Sequence, residues 1–322
     1  MVMKYITNII ANRDCLQDYC NKEKLNSFLE ECNLDGYEVI CADEYPKEIY
    51  NSKVIGLHLP FYNAWMDLYK GNYDALDKEY GSRECWQQFY GGNSFESIYK
   101  HIESQLDFAD KIGVQYVVMH ICEIGTTETL VNKFAYTHEQ VIDASCEIIN
   151  RLFKNKNYKF ALLMENLWWQ GLTFTEPMLT KRLLNGVEYH NKGIMLDIGH
   201  LMHTNKNLQN WQQAAEYIHK MLDAHKDMLG FVKGVHLHGT LEGKYAKEFY
   251  NNPVEIKTDF WERFAQAYEY VNRVDAHRPF ADNTVKGIIE KINPDFLVYE
   301  LQDKTMEQRK ISVKEQNKYM QR

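Results

Sequence analysis

The chain alternates between short, nearly unbroken apolar runs and longer stretches where apolar residues recur with helical spacing. Runs of the first kind read as parallel strands buried on both faces, and stretches of the second kind as helices with one inward face. Eight strands are predicted, over residues 4–9, 36–41, 54–60, 115–120, 159–165, 193–198, 231–238 and 296–301. Helices are predicted between most of them, over about 22–33, 96–112, 137–154, 175–185, 207–228, 258–273 and 282–292. The 96–112 segment sets Ile98, Ile102, Leu106, Ala109 and Ile112 on one stripe and stops at Gly113, a residue suited to the left-handed turn that ends a helix. The 137–154 segment opens on Thr137-His138-Glu139-Gln140, whose first and last side chains can cap one another's backbone.

Strand and helix alternating over the whole length predicts an α/β chain folded as one (β/α)8 TIM barrel, spanning 1–322. Two segments break the rhythm. Residues 61–95 follow strand three and are rich in aromatics, among them Trp65, Tyr69, Trp86 and Tyr90. Residues 239–281 follow strand seven and hold a helix of their own. Both leave the C-terminal face of the barrel, so both are expected to be long βα loops that set specificity or form a lid. The charged tail at about 303–322 is expected to be a helix on the barrel's outside.

Six of the apolar runs end, or nearly end, in a metal-binding residue: His58, His120, Glu165, Asp197 with His200, His236 with His238, and Glu300. In a parallel barrel the strands' C-terminal ends share one face, so these residues meet in one cup. A buried carboxylate without a partner is costly, and several together demand positive charge. A divalent cation supplies it, and two or three carboxylates with an imidazole suit zinc, manganese or magnesium. Within Asp197-Ile198-Gly199-His200, both side chains can face the cup across the turn. His203 reads as helical and structural. In His236-Leu237-His238, His236 is taken as the inward residue and His238 as a supporting or substrate-contacting one. Asp275-Ala276-His277 offers a further pair in the loop before strand eight. Trp168 and Trp169 follow Glu165, and one ring can stack on a substrate while the other packs in the barrel. Lys244, Arg278 and Lys304 are candidate anion contacts, with a solvated surface charge as the plainer reading.

Composition narrows the partners. The formal net charge is −8 and there is no run of five basic residues, which argues against nucleic acid and for a small-molecule substrate. Seven scattered cysteines (15, 20, 32, 41, 85, 122 and 146) form no C-x-x-C pair and fit reduced, cytoplasmic usage. Neither a signal peptide nor a membrane-spanning apolar stretch is read.

Taken together, these residues resemble the xylose-isomerase-like barrel superfamily, which includes the apurinic-site endonuclease IV branch and many sugar isomerases and epimerases. The resemblance covers strand three to strand eight. It implies a metal centre at the barrel's C-terminal face, with Glu165, Asp197, His236 and Glu300 matching the metal quartet of the isomerases and epimerases. His58, His120, His200, Asp275 and His277 match the extra ligands of the endonuclease branch, which implies three zinc ions. On that pattern His58, His120 and Glu165 hold one, Glu165 bridges to a second held by Asp197, His236 and Glu300, and His200, Asp275 and His277 hold a third. Glu165-Asn166 followed by Gly171 resembles that branch's fifth-strand motif. Three departures stand out. His120 is followed by Ile121-Cys122-Glu123 instead of Pro-Gly, His236 and Asp275 are 39 residues apart, and no counterpart of the DNA-inserting loops is recognisable.

The resemblance leaves three readings. One is a phosphoester hydrolase with two or three zinc ions, similar to the cobamide-remodelling phosphodiesterases of the superfamily, in which Glu165, Glu300 and His200 act on the substrate. Another is a sugar or sugar-phosphate isomerase or epimerase with one manganese, Glu165 and Glu300 as its acid/base pair and His200 binding substrate. The third is a non-catalytic binding barrel. The extra histidines favour the hydrolase, since one ion leaves His58 and His120 without a task.

Overall fold

The strands settle where the apolar runs fall. A computed structural model describes residues 2–10, 22–40 and 53–322. Its barrel strands are β1 (Lys4–Ile10), β2 (Gly36–Ile40), β3 (Val54–His58), β4 (Tyr116–His120), β5 (Ala161–Glu165), β6 (Lys192–Asp197), β7 (Val232–Leu237) and β8 (Phe296–Tyr299). All pair in parallel with their neighbours in chain order, and β8 pairs with β1 to close the cylinder. The structure is thus a single (β/α)8 barrel, as the alternation predicts.

Side chains along a strand alternate in direction, so every second residue points into the barrel. Ile6, Tyr116, Val118, Ala161, Leu163, Met195, Phe296 and Val298 form one buried cluster in that interior. The alternate residues Val117, Leu162, Met164, Leu196, Val235 and Leu297 belong to a separate cluster shared with the surrounding helices. Two steps beyond Val118, Leu163, Met195 and Val298 lie His120, Glu165, Asp197 and Glu300. The metal-binding residues are therefore the top layer of an otherwise apolar core. Registers place them side by side, His120 against Glu165 and Asp197 against His236. Leu163 is fully buried under this layer, so Leu163→Ala should cost about 2–5 kcal/mol. A denaturant titration would show it as a lower midpoint.

Helix ends follow the sequence signals. Glu96–Ile112 ends at Gly113 with φ 73°, and His138–Phe153 carries the reciprocal Thr137/Gln140 cap. The tail helix Met306–Met320 docks on the outside, where Asn317 donates to the Cys32 carbonyl and Lys310 pairs with Glu31. Two features exceed the sequence reading. A pair of two-residue strands, Cys122–Glu123 and Gln170–Gly171, forms a small antiparallel sheet above β4 and β5. The excursions after β3 and β7 are long βα connections, as expected, and they carry more helix than the single segment, about 258–273, that the sequence predicts. The first folds as Met66–Lys70, Tyr73–Tyr80 and Arg83–Tyr90, and the second as Gly243–Asn251 and Phe260–Val274.

Their aromatics explain that order, because the two excursions pack on each other. The Tyr80 and Phe260 rings lie 4.3 Å apart and Phe89 meets Phe260 edge-on. The buried Arg263 guanidinium donates to the Glu79 carbonyl across the same seam. Together the excursions make one cover beside the cup. Cys32, Cys85, Cys122 and Cys146 are free thiols, while Cys15, Cys20 and Cys41 lie outside the described residues. Among the described residues no helix is long and apolar enough to cross a membrane.

Candidate metal centre

The barrel brings together every strand-end residue named above. Glu165 stands at the centre, fully buried. Its Oε2 lies 3.1 Å from both His58 Nε2 and His120 Nε2. Its Oε1 lies 3.2 Å from His200 Nδ1 and 3.4 Å from His236 Nδ1. His236 Nδ1 is also 3.1 Å from Glu300 Oε2 and 3.8 Å from Asp197 Oδ2. Beyond Asp197, His200 Nε2 is 3.4 Å from Asp275 Oδ2, and His277 Nε2 is 3.0 Å from the same oxygen. Among the described residues, three sets have donor atoms that all lie within 4.8 Å of one another: His58–Glu165–His236, Glu165–Asp197–His236–Glu300, and His200–His238–Asp275–His277. His120 stands at the edge of the first set, and its Nδ1 makes no hydrogen bond.

These distances fit shared cations better than a network of hydrogen bonds. Ligand atoms about 2.0–2.1 Å from a tetrahedral ion sit roughly 3.3 Å from each other. Several contacts have that separation yet lack hydrogen-bond geometry. Glu165 Oε1, His236 Nδ1, Glu300 Oε2, Asp275 Oδ1 and His238 Nδ1 are buried atoms without a hydrogen-bond partner. Buried polar atoms left unpaired are expensive, and here they converge on common points. The donor set of imidazoles and carboxylates suits zinc and its neighbours. The cup therefore fits divalent metal ions.

Outer contacts fix which nitrogen of each ring faces inward. His58 donates from Nδ1 to the Leu59 carbonyl at 2.9 Å, and His200 from Nδ1 to the Asn166 carbonyl at 2.9 Å. That leaves Nε2 of each for the cup. His236 is reversed, with Nε2 held by Glu38 at 3.0 Å and Nδ1 turned inward. Tyr116 donates to Glu38 Oε2 at 2.8 Å, and both residues are fully buried. Asn166 clamps the Asp197 backbone in both directions, at 2.9 and 3.0 Å. Glu38 and Asn166 therefore hold the ligand residues in place, and the sequence reading gave neither of them a role. Glu38 had a signal, since it is the one charged residue inside the apolar strand Gly36–Ile40. Replacing it with glutamine should lower metal affinity about 10–100-fold while leaving the fold intact, as read by titration against a competing chelator.

Electrostatics of the metal-free cup show groups paired against their burial. Burial alone would raise the Glu165 carboxyl, but the His120 and His236 imidazoles outweigh it and hold it well below the usual carboxylate range. Burial is likewise outweighed at Glu300 by His236 and His277, and at Asp275 by His277 and His200. For His200 and His236 burial favours the neutral ring, yet the facing carboxylates push both well above the ordinary imidazole value. His120 and His203 go the other way, with burial pushing both below the ordinary imidazole value.

The remaining candidates separate clearly. His238 was set apart from His236, but residues two apart share a face. Both are fully buried, and His238 Nε2 is 3.0 Å from Asp197 Oδ2. His203 is buried in the helix Ile198–His203, 3.6 Å from Asp275. Trp169 is buried, and Trp168 lies against His200 and His203 with ring centroids 5.1 and 4.6 Å away. Arg278, Lys244 and Lys304 are exposed and are not among the residues lining the cavity above the cup. That cavity measures about 540 Å³, and its walls include Phe61, Trp168, Trp169, Phe264, Tyr268 and Val271 with His58, His120, His200 and Glu300 at its floor.

No protein-family model matches the chain, and no curated protein matches it in sequence. Solved structures match its shape. Endonuclease IV from Thermus thermophilus superposes with a TM-score of 0.52 at 13% identity, covering 99% of each chain. The IOLI protein with a binding zinc atom gives 0.55 at 13% identity over 99% of this chain and 98% of that one. A D-tagatose 3-epimerase-like protein gives 0.51 at 13% identity over 99% and 97%. At such identities the likeness is one of fold: the chain shares the (β/α)8 barrel of these structures.

Proposed function

We propose that the chain is a divalent-metal-dependent phosphoester hydrolase, with zinc the best-suited ion, acting on a small molecule. One observation carries this reading: nine residues supply three converging donor sets, more than a single ion can use. A one-metal isomerase needs Glu165, Asp197, His236 and Glu300 and leaves the third set idle. The zinc noted for the IOLI structure and the endonuclease among the structural neighbours support the same direction.

Bound divalent ions supply a Lewis acid and make water acidic enough to attack near neutral pH. The chain's residues do the rest. Glu165 presents one oxygen to each of two neighbouring sets and so fixes their separation. Glu300 at the cavity floor is placed to accept a proton from the attacking water. His200 borders the floor beside Trp168 and is placed to meet a substrate oxygen. The aromatic walls exclude bulk water, which strengthens every charge interaction beneath them.

Those walls also bear on the substrate. Apolar and aromatic side chains dominate them, and among the described residues no Lys or Arg lines them. A polyhydroxylated sugar would find few partners there. A phosphoester whose anionic end reaches the metals, and whose bulky apolar or heteroaromatic group rests on Trp168 and Phe264, fits better. The net charge of −8 and the covered cup disfavour DNA.

The test is elemental analysis of protein purified without added metal, followed by assay on an aryl phosphodiester. Two or three zinc ions per chain with hydrolysis are expected, and His58→Ala should remove one ion. The epimerases among the neighbours define the rival. A single exchangeable manganese, with solvent protons entering ketoses, would establish that reading and end this one.

A further inference from the structure

The cavity above the cup has a neighbour. We propose that this second cavity binds a further acidic group of the substrate, a carboxylate or phosphate, and that Lys206 is the residue that meets it. The inference rests on the reading that the cup takes an anionic ester, and it names a second charge that the ester carries.

The neighbouring cavity measures about 170 Å³. Trp168 is a wall of both cavities. His203 lines the second one too. Its ring is buried, and its Nε2 makes no hydrogen bond and stands 3.6 Å from Asp275 Oδ1. One residue therefore separates this cavity from the third donor set.

Lys206 is the cation that the first cavity lacks. Its side chain is half-buried and lines the second cavity. Among the described residues it makes no ion pair, and its ammonium rests on the Tyr250 ring, 4.5 Å from the centroid. Burial pushes the ammonium below its ordinary value, and no carboxylate offsets that push. Lysines at a protein surface usually extend their charged end into water. This one keeps it over an aromatic face, which stabilises the cation but leaves it without a counter-charge. Among the described residues Glu242 is the one carboxylate on the wall, and it faces Arg273 at 3.6 Å.

The backbone is shaped around the same place. The helix Gly243–Asn251 sets Gly243, Ala246 and Tyr250 along the cavity, and no side chain caps its first turn. The N–H groups of an uncapped first turn favour an anion. Gly243 lets this helix start against Lys206, since a Cβ there would lie 2.6 Å from the Lys206 carbonyl oxygen. The glycine thus brings the uncapped turn and the lysine backbone together. A substrate that satisfies both cavities has its phosphoester at the metals, its linking group over Trp168 and its second acid at Lys206. Lys206 binds that end and takes no part in the chemistry, so it sets KM and leaves kcat unchanged.

The test uses the metal-loaded full chain and para-nitrophenyl phosphodiesters whose other arm is an alkyl chain ending in a carboxylate. The arm is varied in length, and the methyl ester of each acid is its neutral control. At the best length the acid should have the lower KM, by about 10-fold, the worth of a hydrogen bond to a charged group. Lys206→Met should abolish that preference without changing kcat or the KM of the methyl esters, and Lys206→Arg should keep most of it. Circular dichroism checks the fold of both variants. Binding is read separately, by calorimetry on phosphinate analogues in which carbon replaces both ester oxygens. Equal KM and equal affinity for acid and methyl ester would overturn the inference, as would a preference that survives Lys206→Met. Added inorganic phosphate that speeds turnover of the methyl esters through Lys206 would also overturn it, because the anion would then be a free effector. If the acid binds more tightly through Lys206 but no ester is hydrolysed, the anion site stands and the hydrolase reading beneath it falls.

Discussion

Replacing Glu165 with glutamine should strip two ions from the cup and leave the third. Glu165 turns its two oxygens to different donors, with His58 and His120 on Oε2 and His200 and His236 on Oε1. A neutral amide of the same size keeps the packing but loses the charge that binds both ions. Metal-ion stabilisation of a phosphoryl transition state is worth several kcal/mol, and each 1.36 kcal/mol is tenfold in rate. Turnover on a phosphodiester should therefore fall by about 1,000-fold or more. Of the third set only His200 touches Glu165, through Nδ1, while Asp275, His238 and His277 do not, so the third ion should remain. Retention of that ion distinguishes the loss from global unfolding. A variant that keeps all its metal, or that keeps most of its rate, would show that Glu165 is not the bridge.

The second large effect is the pH dependence of metal removal. In the metal-free cup, burial is outweighed by facing carboxylates at His200 and His236, whose rings titrate well above the ordinary value, and by Asp275 and Glu300 at His277, which is pushed up to about 9. A group with a raised folded pKa contributes stability that is full below its unfolded value, about 6.5, and is lost as pH climbs through the folded value. The depressed carboxylates Glu165, Asp275 and Glu300 behave oppositely, and their contribution is lost only as pH falls below the usual carboxylate range. On these raised imidazoles the metal-free barrel should weaken steadily from about pH 6.5 toward pH 9. Metal binding needs neutral imidazoles, so the loaded protein gains as pH rises. The gap in melting temperature between loaded and chelated protein should widen from pH 6 to pH 9. At pH 7, metal uptake in weak buffer should release protons from His200, His236 and His277. A gap that narrows with pH, or uptake without proton release, would contradict this picture.

Much of the site was legible because strand periodicity and strand ends are local features. His58, His120, Glu165, Asp197 and Glu300 announce themselves as polar residues that close apolar runs. Glu38 stayed hidden because it lies mid-strand and its partner His236 is 198 residues away along the chain. That His238 shares the inward face was not legible because the pattern shows the spacing of two histidines but not the ring packed against Gly199. The short helices within 61–95 were not read because they are ordered largely by the Tyr80, Phe89 and Phe260 rings meeting across the seam.

Periodicity and the helix signals at Gly113 and Thr137 are properties of neighbouring residues, so the sequence alone determined the eight-strand barrel and the layer of donors at its top. It could not decide how those donors divide. Whether Asp275 and His277, 39 residues from His236 at the nearer of the two, join the cup depends on a chain path that runs through a helical excursion and back. Which nitrogen each histidine turns inward depends on Glu38 for His236 and Asn166 for His200, which lie on other strands or turns, and for His58 on the carbonyl of the next residue, Leu59. Local propensity is read over one turn or one strand, while ligand geometry is set by the closure of the whole cylinder. That is why only the tertiary structure divided the donors into three sets and gave His238 a place in one of them.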